Sequence, residues 1–473
     1  HEYPAYTPRI LHPKDAYERK GTQIDLTWDK DDVILVKVGD KTAEFTLQSG
    51  AGEAQATFKG IMPADGNNFS VQYPVEEPDL SNQTYVENGF GKGLMKMTAE
   101  NGTIDGGFTL APQHTLLGLQ LKGSDALSKI VLTNPADSKT YTLTCTDVTL
   151  TEDASTLFYI VVPKGNWPSG FRVDVYAEDN STILNTFEKT GNVSFDGSAV
   201  AMPEQDVNIK SFTANGVSFR MIAVKGGTFT MGATQKQEDF QDDLDITHSN
   251  YDKPAHQVTL TYDYHIGETE VTQELWKAVM GTNPSRLNGD DYKQHPVDSV
   301  NWDNCQEFVT ELNKLLADQL NGKTFRLPTN AEWEYAARGG HKMGQEYIFA
   351  GSDIANDVAW YSIKGKQDLT YSQPVKGKNP NELGLYDMSG NVEEWCQDNY
   401  YTYPKSADPE TDPICILTDS SHEYYNRYVV RGGRWWMSKG NGSRFCRVGY
   451  RNYYQYETRH DYLGLRLALV ENK

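Results

Sequence analysis

The sequence predicts two folds in one chain: an all-β sandwich over residues 1–210 and an α+β domain over residues 211–473. Three observations carry this. Short β-prone runs follow one another to about residue 175, separated by Gly, Asp, Asn and Pro, with no long amphipathic helix among them. Strands this short with turn signals between them indicate an antiparallel sandwich. From Val217 onward glycine and tryptophan become denser and helical segments begin. Between the two lies the polar stretch Met202-Pro203-Glu204-Gln205-Asp206, which places the boundary near Asn208–Ser211.

The expected strands are Val33–Val38, Ala43–Leu47, Ala54–Phe58, Phe69–Tyr73, Leu116–Leu121, Lys129–Leu132, Tyr141–Thr144, Leu157–Val162 and Phe171–Val175. A turn at Pro63-Ala64-Asp65-Gly66 separates the third from the fourth. In the second half, Thr272–Met280 is a helix capped by Thr272 and closed by Gly281. A longer helix runs from Trp302 to Leu320, with Phe308, Leu312, Leu315, Leu316 and Leu320 as its apolar stripe. A third, Ala331–Arg338, follows Leu327-Pro328-Thr329-Asn330, with Asn330 as its cap.

Composition excludes several function classes. The formal charge is -21 and no Lys/Arg cluster is long enough to track a phosphate backbone, so nucleic acid is not a partner. Excess negative charge fits an exported or surface protein. No window of about 18 apolar residues exists to cross a membrane as a helix, so attachment would need an anchor that is removed or absent here. A start at His1 rather than Met fits removal of a leader. The five cysteines, Cys145, Cys305, Cys396, Cys415 and Cys446, show neither CxxC nor metal-ligand spacing, and leave room for one bridge in the C-terminal half. The ten histidines include no HExxH, and there is no GxSxG elbow.

The segment 431–469 stands apart. Its ends are regular, but Trp436, Met437, Ser438, Phe445, Tyr450, Asn452, Tyr453, Tyr454, Tyr456, Thr458, His460 and Tyr462 follow no period of two or of 3.6. Stiff aromatics among small polar residues are the composition of a recognition surface. These twelve residues are the expected ligand contacts.

Two resemblances extend this reading. Residues 32–60, DVILVKVGDKTAEFTLQSGAGEAQATFKG, with the later Tyr73-Pro74, resemble the fimbrillin-like domains of pili. That implies partners of the same kind, joined by strand exchange. VKGGTFTMG (224–232), GETEVTQELWKAVMG (267–281), PVDSVNWDNCQEF (296–308), FRLPTNAEWEYAARGG (325–340), GLYDMSGNVEEW (384–395), RGGRW (431–435), CRVGYR (446–451) and GLRLA (464–468) occur in order. They resemble the formylglycine-generating-enzyme domain, a variant of the C-type lectin fold. The resemblance implies copper held by two cysteines, at Met437 or Ser438 and at Ser443 or Arg444. Neither is Cys, so neither copper nor catalysis is expected. It also implies a calcium site from Asp387, the carbonyls of Gly390 and Val392, and Glu394, an oxygen-only set suited to a hard cation. The frame RGG-x-W, CRV-x-x-RN and GLRLA resembles the variable proteins of diversity-generating retroelements. The expected function is a non-catalytic adhesin at a fimbrial tip on the cell surface or outer membrane, binding a host or bacterial surface protein or glycan. The alternative is a surface maturation enzyme with an altered metal site.

Overall fold

A computed structural model describes residues 9–10, 31–49, 51, 57–60, 68–86, 90, 94–103, 109–196, 200–240, 250–363, 369–405, 409–436 and 442–472. The chain divides into two compact units, 1–208 and 209–473. The first has no helix among its described residues. Its sheets alternate buried and exposed side chains. In Ala126–Asn134, for example, Leu127, Ile130 and Leu132 point inward. That strand pairs antiparallel with Lys139–Thr149 and with Phe171–Ala177 in a five-stranded sheet. A seven-stranded sheet holds Val33–Val38 between Lys41–Ser49 and Asn68–Tyr73. His114–Lys122 and Thr156–Pro163 form a further antiparallel pair whose Leu117, Ile160, Val161 and Val162 are fully buried. Each expected strand lies within or overlaps an observed one, except that residues 54–56 and the turn at 63–66 lie outside the described residues.

In the second unit, α1 is Gln273–Met280. Thr272 accepts the Leu275 amide at its start, and Gly281 ends it at φ 75°. Helix α2 is Trp302–Leu315, opened by a reciprocal Asn301–Asn304 capping box. It stops short of the expected Leu320. Leu316 leaves helical geometry at φ -105°, ψ 14°, and a separate turn, Ala317–Leu320, follows. At the helix end Leu315 is 41% exposed while Leu316 is buried. Helix α3 is Asn330–Ala337, and its cap is Thr329 rather than Asn330. The Thr329 hydroxyl accepts the Glu332 amide while Glu332 accepts the Thr329 amide. Asn330 is thereby freed for a task inside the site.

Two sheets frame these helices. The five-stranded one ends the chain: Ala468–Glu471 lies between Tyr264–Gly267 and Lys323–Arg326. The four-stranded one carries the candidate site. Its strands are β1, Glu393–Asn399; β2, Arg427–Arg431; β3, Arg451–Gln455; and β4, Leu463–Leu465, in the order β3-β2-β1-β4. Trp333 of α3 and Trp395 of β1 are fully buried, in two different core clusters. Truncating either would cost about 3–5 kcal/mol.

Candidate ligand-binding site

Strand β2 ends at Arg431 and the chain then turns at Gly432 and Gly433, both at positive φ. A Cβ on Gly433 would lie 2.4 Å from the Phe445 carbonyl oxygen, so only glycine fits where the outgoing and returning chains touch. Arg431 is completely buried. Its Nη2 meets Glu334 of α3 at 2.8 Å, its Nε donates to the freed Asn330 Oδ1 at 2.7 Å, and its Nη1 donates to the Gly449 and Tyr450 carbonyls at 3.2 Å. One guanidinium thus ties the start of segment 431–469 and its middle, at Gly449 and Tyr450, to α3.

Three further arginines repeat the pattern. Arg447 pairs with Asp252 at 3.1 Å. Arg451 donates to the Tyr251 carbonyl and, at 2.7 Å, to that of Tyr401. Arg466 grips Glu394 at 2.9 Å and donates to the Gly267 and Tyr386 carbonyls at 2.8 and 2.7 Å. All are buried. A buried charge that is both paired and hydrogen-bonded fixes geometry, and removing its partner is costly.

On the other side of this frame the aromatics gather. Trp436 is 39% exposed and stacks on Tyr462 at 6.1 Å and 11°. His460 stacks on Tyr462 at 4.7 Å, and Tyr454 meets His460 edge-on at 5.4 Å. Arg434 lies 4.2 Å from the Tyr462 ring centre and donates to Glu393 at 3.0 Å and to the Tyr454 hydroxyl at 2.7 Å. Burial, then the Glu393 carboxylate, raises the Tyr454 phenol above its usual range. Burial lowers the His460 imidazole.

The structure splits the twelve expected contacts. Trp436, Tyr454, His460 and Tyr462 come together. Tyr456 is half-exposed, with its hydroxyl on Glu457 and its amide on the Asn426 carbonyl, and the Thr458 amide closes a turn on Gln455. Tyr450 is corrected to the interior: it is 8% exposed and meets half-buried Phe445 edge-on at 5.2 Å. Tyr453 is corrected to packing. Adjacent residues of a strand face opposite ways, so Tyr453 turns from Tyr454 toward Tyr400, Tyr251 and Tyr424, at 4.4, 5.2 and 6.2 Å. Half-buried Asn452 pairs with Val430 across the sheet. Met437 and Ser438 lie outside the described residues. Sequence reasoning missed Arg434 and Glu393. The signal was present in two successive glutamates on one strand, of which Glu393 faces Arg434 and Glu394 faces Arg466.

The metal expectations fare differently. Both oxygens of Glu394 are engaged by Arg466, and Oε2 also accepts Trp333 Nε1 at 2.5 Å. Glu394 is therefore not available as a calcium ligand. The amide of Val392 and the side chain of Asn391 are held by Glu270 at 3.0 and 2.8 Å, so side chains pin the loop. Asp387 Oδ1 is buried without a partner. Burial pushes its carboxyl up to about 6, and burial together with Asp387 raises Glu270 well above the carboxylate range. Among the described residues no group of three or more His, Cys, Asp or Glu is arranged to hold a metal ion. The expected four-oxygen set does not fit calcium. Copper fits no better. Ser443 and Arg444 are buried where the resemblance calls for a thiolate, and burial pushes the nearby Cys446 thiol up to about 12. All five cysteines are free thiols, which corrects the expected room for a bridge.

With this geometry in place, comparison with known proteins is informative. The family model for the sulfatase-modifying factor enzyme 1-like domain matches residues 189–470. The chaperone protein LppX of Paenibacillus barcinonensis is 35% identical over 194 residues, 32% of this chain and 67% of that protein. Other curated relatives are covered over only 33% and 46% of their length. Among solved structures, Treponema denticola variable protein 1 is 31% identical, covering 55% of this chain and 98% of that one at a TM-score of 0.44. A Bacteroides fragilis protein provisionally assigned to cell adhesion is 11% identical, covering 46% of this chain and 92% of that one at a TM-score of 0.26.

Proposed function

The chain belongs to the sulfatase-modifying factor enzyme 1-like family, and from that premise we propose that it is a non-catalytic adhesin of the cell surface. Its ligand is a protein or glycan, taken by a diversified face at the C-terminal end. The observation that carries this is the division within one segment: exposed Trp436 and its ring stack stand on a frame of buried arginines tied to carboxylates and carbonyls. Rigid aromatics over a fixed scaffold give contact area at low ordering cost. The absence of a thiolate pair supports a binding role over an oxidative one. The pilin-like first unit belongs to the same proposal: it joins a fimbrium by strand exchange and presents the lectin-fold face at the tip. Ala468–Glu471 is consumed between two strands of its own sheet, so that strand is not one to hand on.

The test is binding of the full chain to arrayed host and bacterial surface glycans and to whole cells, alongside Trp436→Ala and Tyr456→Ala. Binding by the parent that both variants lose, with melting unchanged, is the expected result. Binding indifferent to both variants, or immunogold label along the whole fibre shaft, would overturn the face or the tip assignment. Formylglycine formation from a cysteine peptide with added copper would overturn the non-catalytic reading.

A further inference from the structure

The ring stack of this face is organised by a residue that lies outside it. Arg434 sits in the bend after Gly433, ahead of the irregular stretch 436–462. Its side chain is only 17% exposed although it lies beneath the most exposed tryptophan of the second unit. Four of its side-chain contacts are with the face or its support. Nε donates to the Trp436 carbonyl at 3.2 Å. Nη1 donates to the Tyr454 hydroxyl at 2.7 Å and to Glu393 Oε2 at 3.0 Å. The guanidinium plane lies over Tyr462, with Cζ 4.2 Å from the ring centre. Glu393, itself 2% exposed, closes the circuit by accepting the Tyr454 hydroxyl at 2.8 Å.

We propose that Arg434 is the positioning residue of the ligand-binding face: one guanidinium, locked by Glu393, sets the orientation of Trp436, Tyr454 and Tyr462 before any ligand arrives. This rests on the adhesin reading for its function but not for its geometry. The chemistry needs arginine. A planar fork can donate in several in-plane directions while its flat face stacks on a ring; an ammonium supplies the charge without the plane. The contacts reach both ends of the irregular stretch, at residue 436 and at 454 and 462, which the chain separates by about twenty positions. Without this tie, the stretch 453–462 would keep its strand pairing at Tyr453, its turn at Thr458 and the Tyr462–Trp436 ring contact, but lose the charged group that joins Tyr454, Tyr462 and the Trp436 backbone.

Hydrogen exchange of the full chain, followed by mass spectrometry, tests this without a ligand. The parent is compared with Arg434→Lys and Arg434→Met. In both variants exchange across 453–462 should rise about tenfold, the scale of one lost charge-assisted hydrogen bond. Exchange in α3 and β1 should be unchanged. The lysine variant, which keeps a cation beside Glu393, should melt with the parent, whereas the methionine variant should melt lower. If the methionine variant does not fold, the lysine variant decides. Parental exchange in Arg434→Lys, or a rise spread evenly over the unit, would overturn the proposal by reducing Arg434 to a charge partner. A chain that shows the local rise yet binds nothing on any array would leave this inference standing and sink the adhesin reading instead.

Discussion

The two sides of the segment 431–469 are built on opposite principles. Behind it, Arg431, Arg447, Arg451 and Arg466 are almost fully withdrawn from water, and each is tied to a carboxylate, a carbonyl or both, at separations of 50 to 195 residues in the chain. In front, Trp436, His460 and Tyr462 are partly open to solvent and stack on one another, and Tyr456 is partly open as well. The lesson is where tolerance lies. Removing one partner of a buried charge strands the other. Replacing an exposed ring removes contact area and little else. A face can change on such a frame, but the frame cannot change under it.

The largest expected effect breaks the rear side. Glu394→Ala strands Arg466 and should cost about 3–5 kcal/mol, read by urea unfolding of the full chain. The loss should be the same in calcium and in chelator; a parent that melts lower in chelator would restore the calcium site. Next comes Tyr453→Ala, at the seam between the two sides. It loses packing with the Tyr251, Tyr400 and Tyr424 cluster and should cost about 1–3 kcal/mol. A cost below about 0.5 kcal/mol would return Tyr453 to the exposed face.

A pH test separates buried charge that is paired from buried charge that is not. The Asp387 carboxyl is raised to about 6 by burial. The folded chain therefore binds a proton there that the unfolded chain releases near its ordinary value, and this group's contribution to stability falls as pH rises between about 4 and 6. Asp387→Asn keeps an acceptor for the Lys376 amide and removes the charge. It should raise stability at pH 7.5 by about 1–2 kcal/mol, with the gain vanishing below pH 4. A gain independent of pH, or a loss at pH 7.5, would mean a cation compensates Asp387. The smallest effect belongs to the front. Trp436→Ala should change unfolding by less than about 0.5 kcal/mol while abolishing ligand capture. Substantial destabilisation would move Trp436 to the rear side of the comparison.

By itself, the sequence determined the elements and their class. The β-prone runs, the Thr272 cap, the Phe308 and Leu312 positions of the expected stripe and the boundary near 208 are local signals, fixed by side-chain period and by hydrogen bonds within a few residues, whereas Leu315 of that stripe is exposed and Leu316 and Leu320 lie beyond the helix. It also determined the missing thiolates, because a residue type is visible without coordinates. Facing and pairing were decided only in three dimensions. Tyr453 and Tyr454 are chemically identical neighbours, as are Glu393 and Glu394, and in each pair the two turn to opposite sides of a strand. Which cluster each one packs against depends on strand register and on partners such as Tyr400 and Arg466, far away along the chain. The partner of Glu394 was hidden for the same reason: the acidic spacing was present in the sequence, but the cation that meets Glu394 in the fold is an arginine seventy-two residues away.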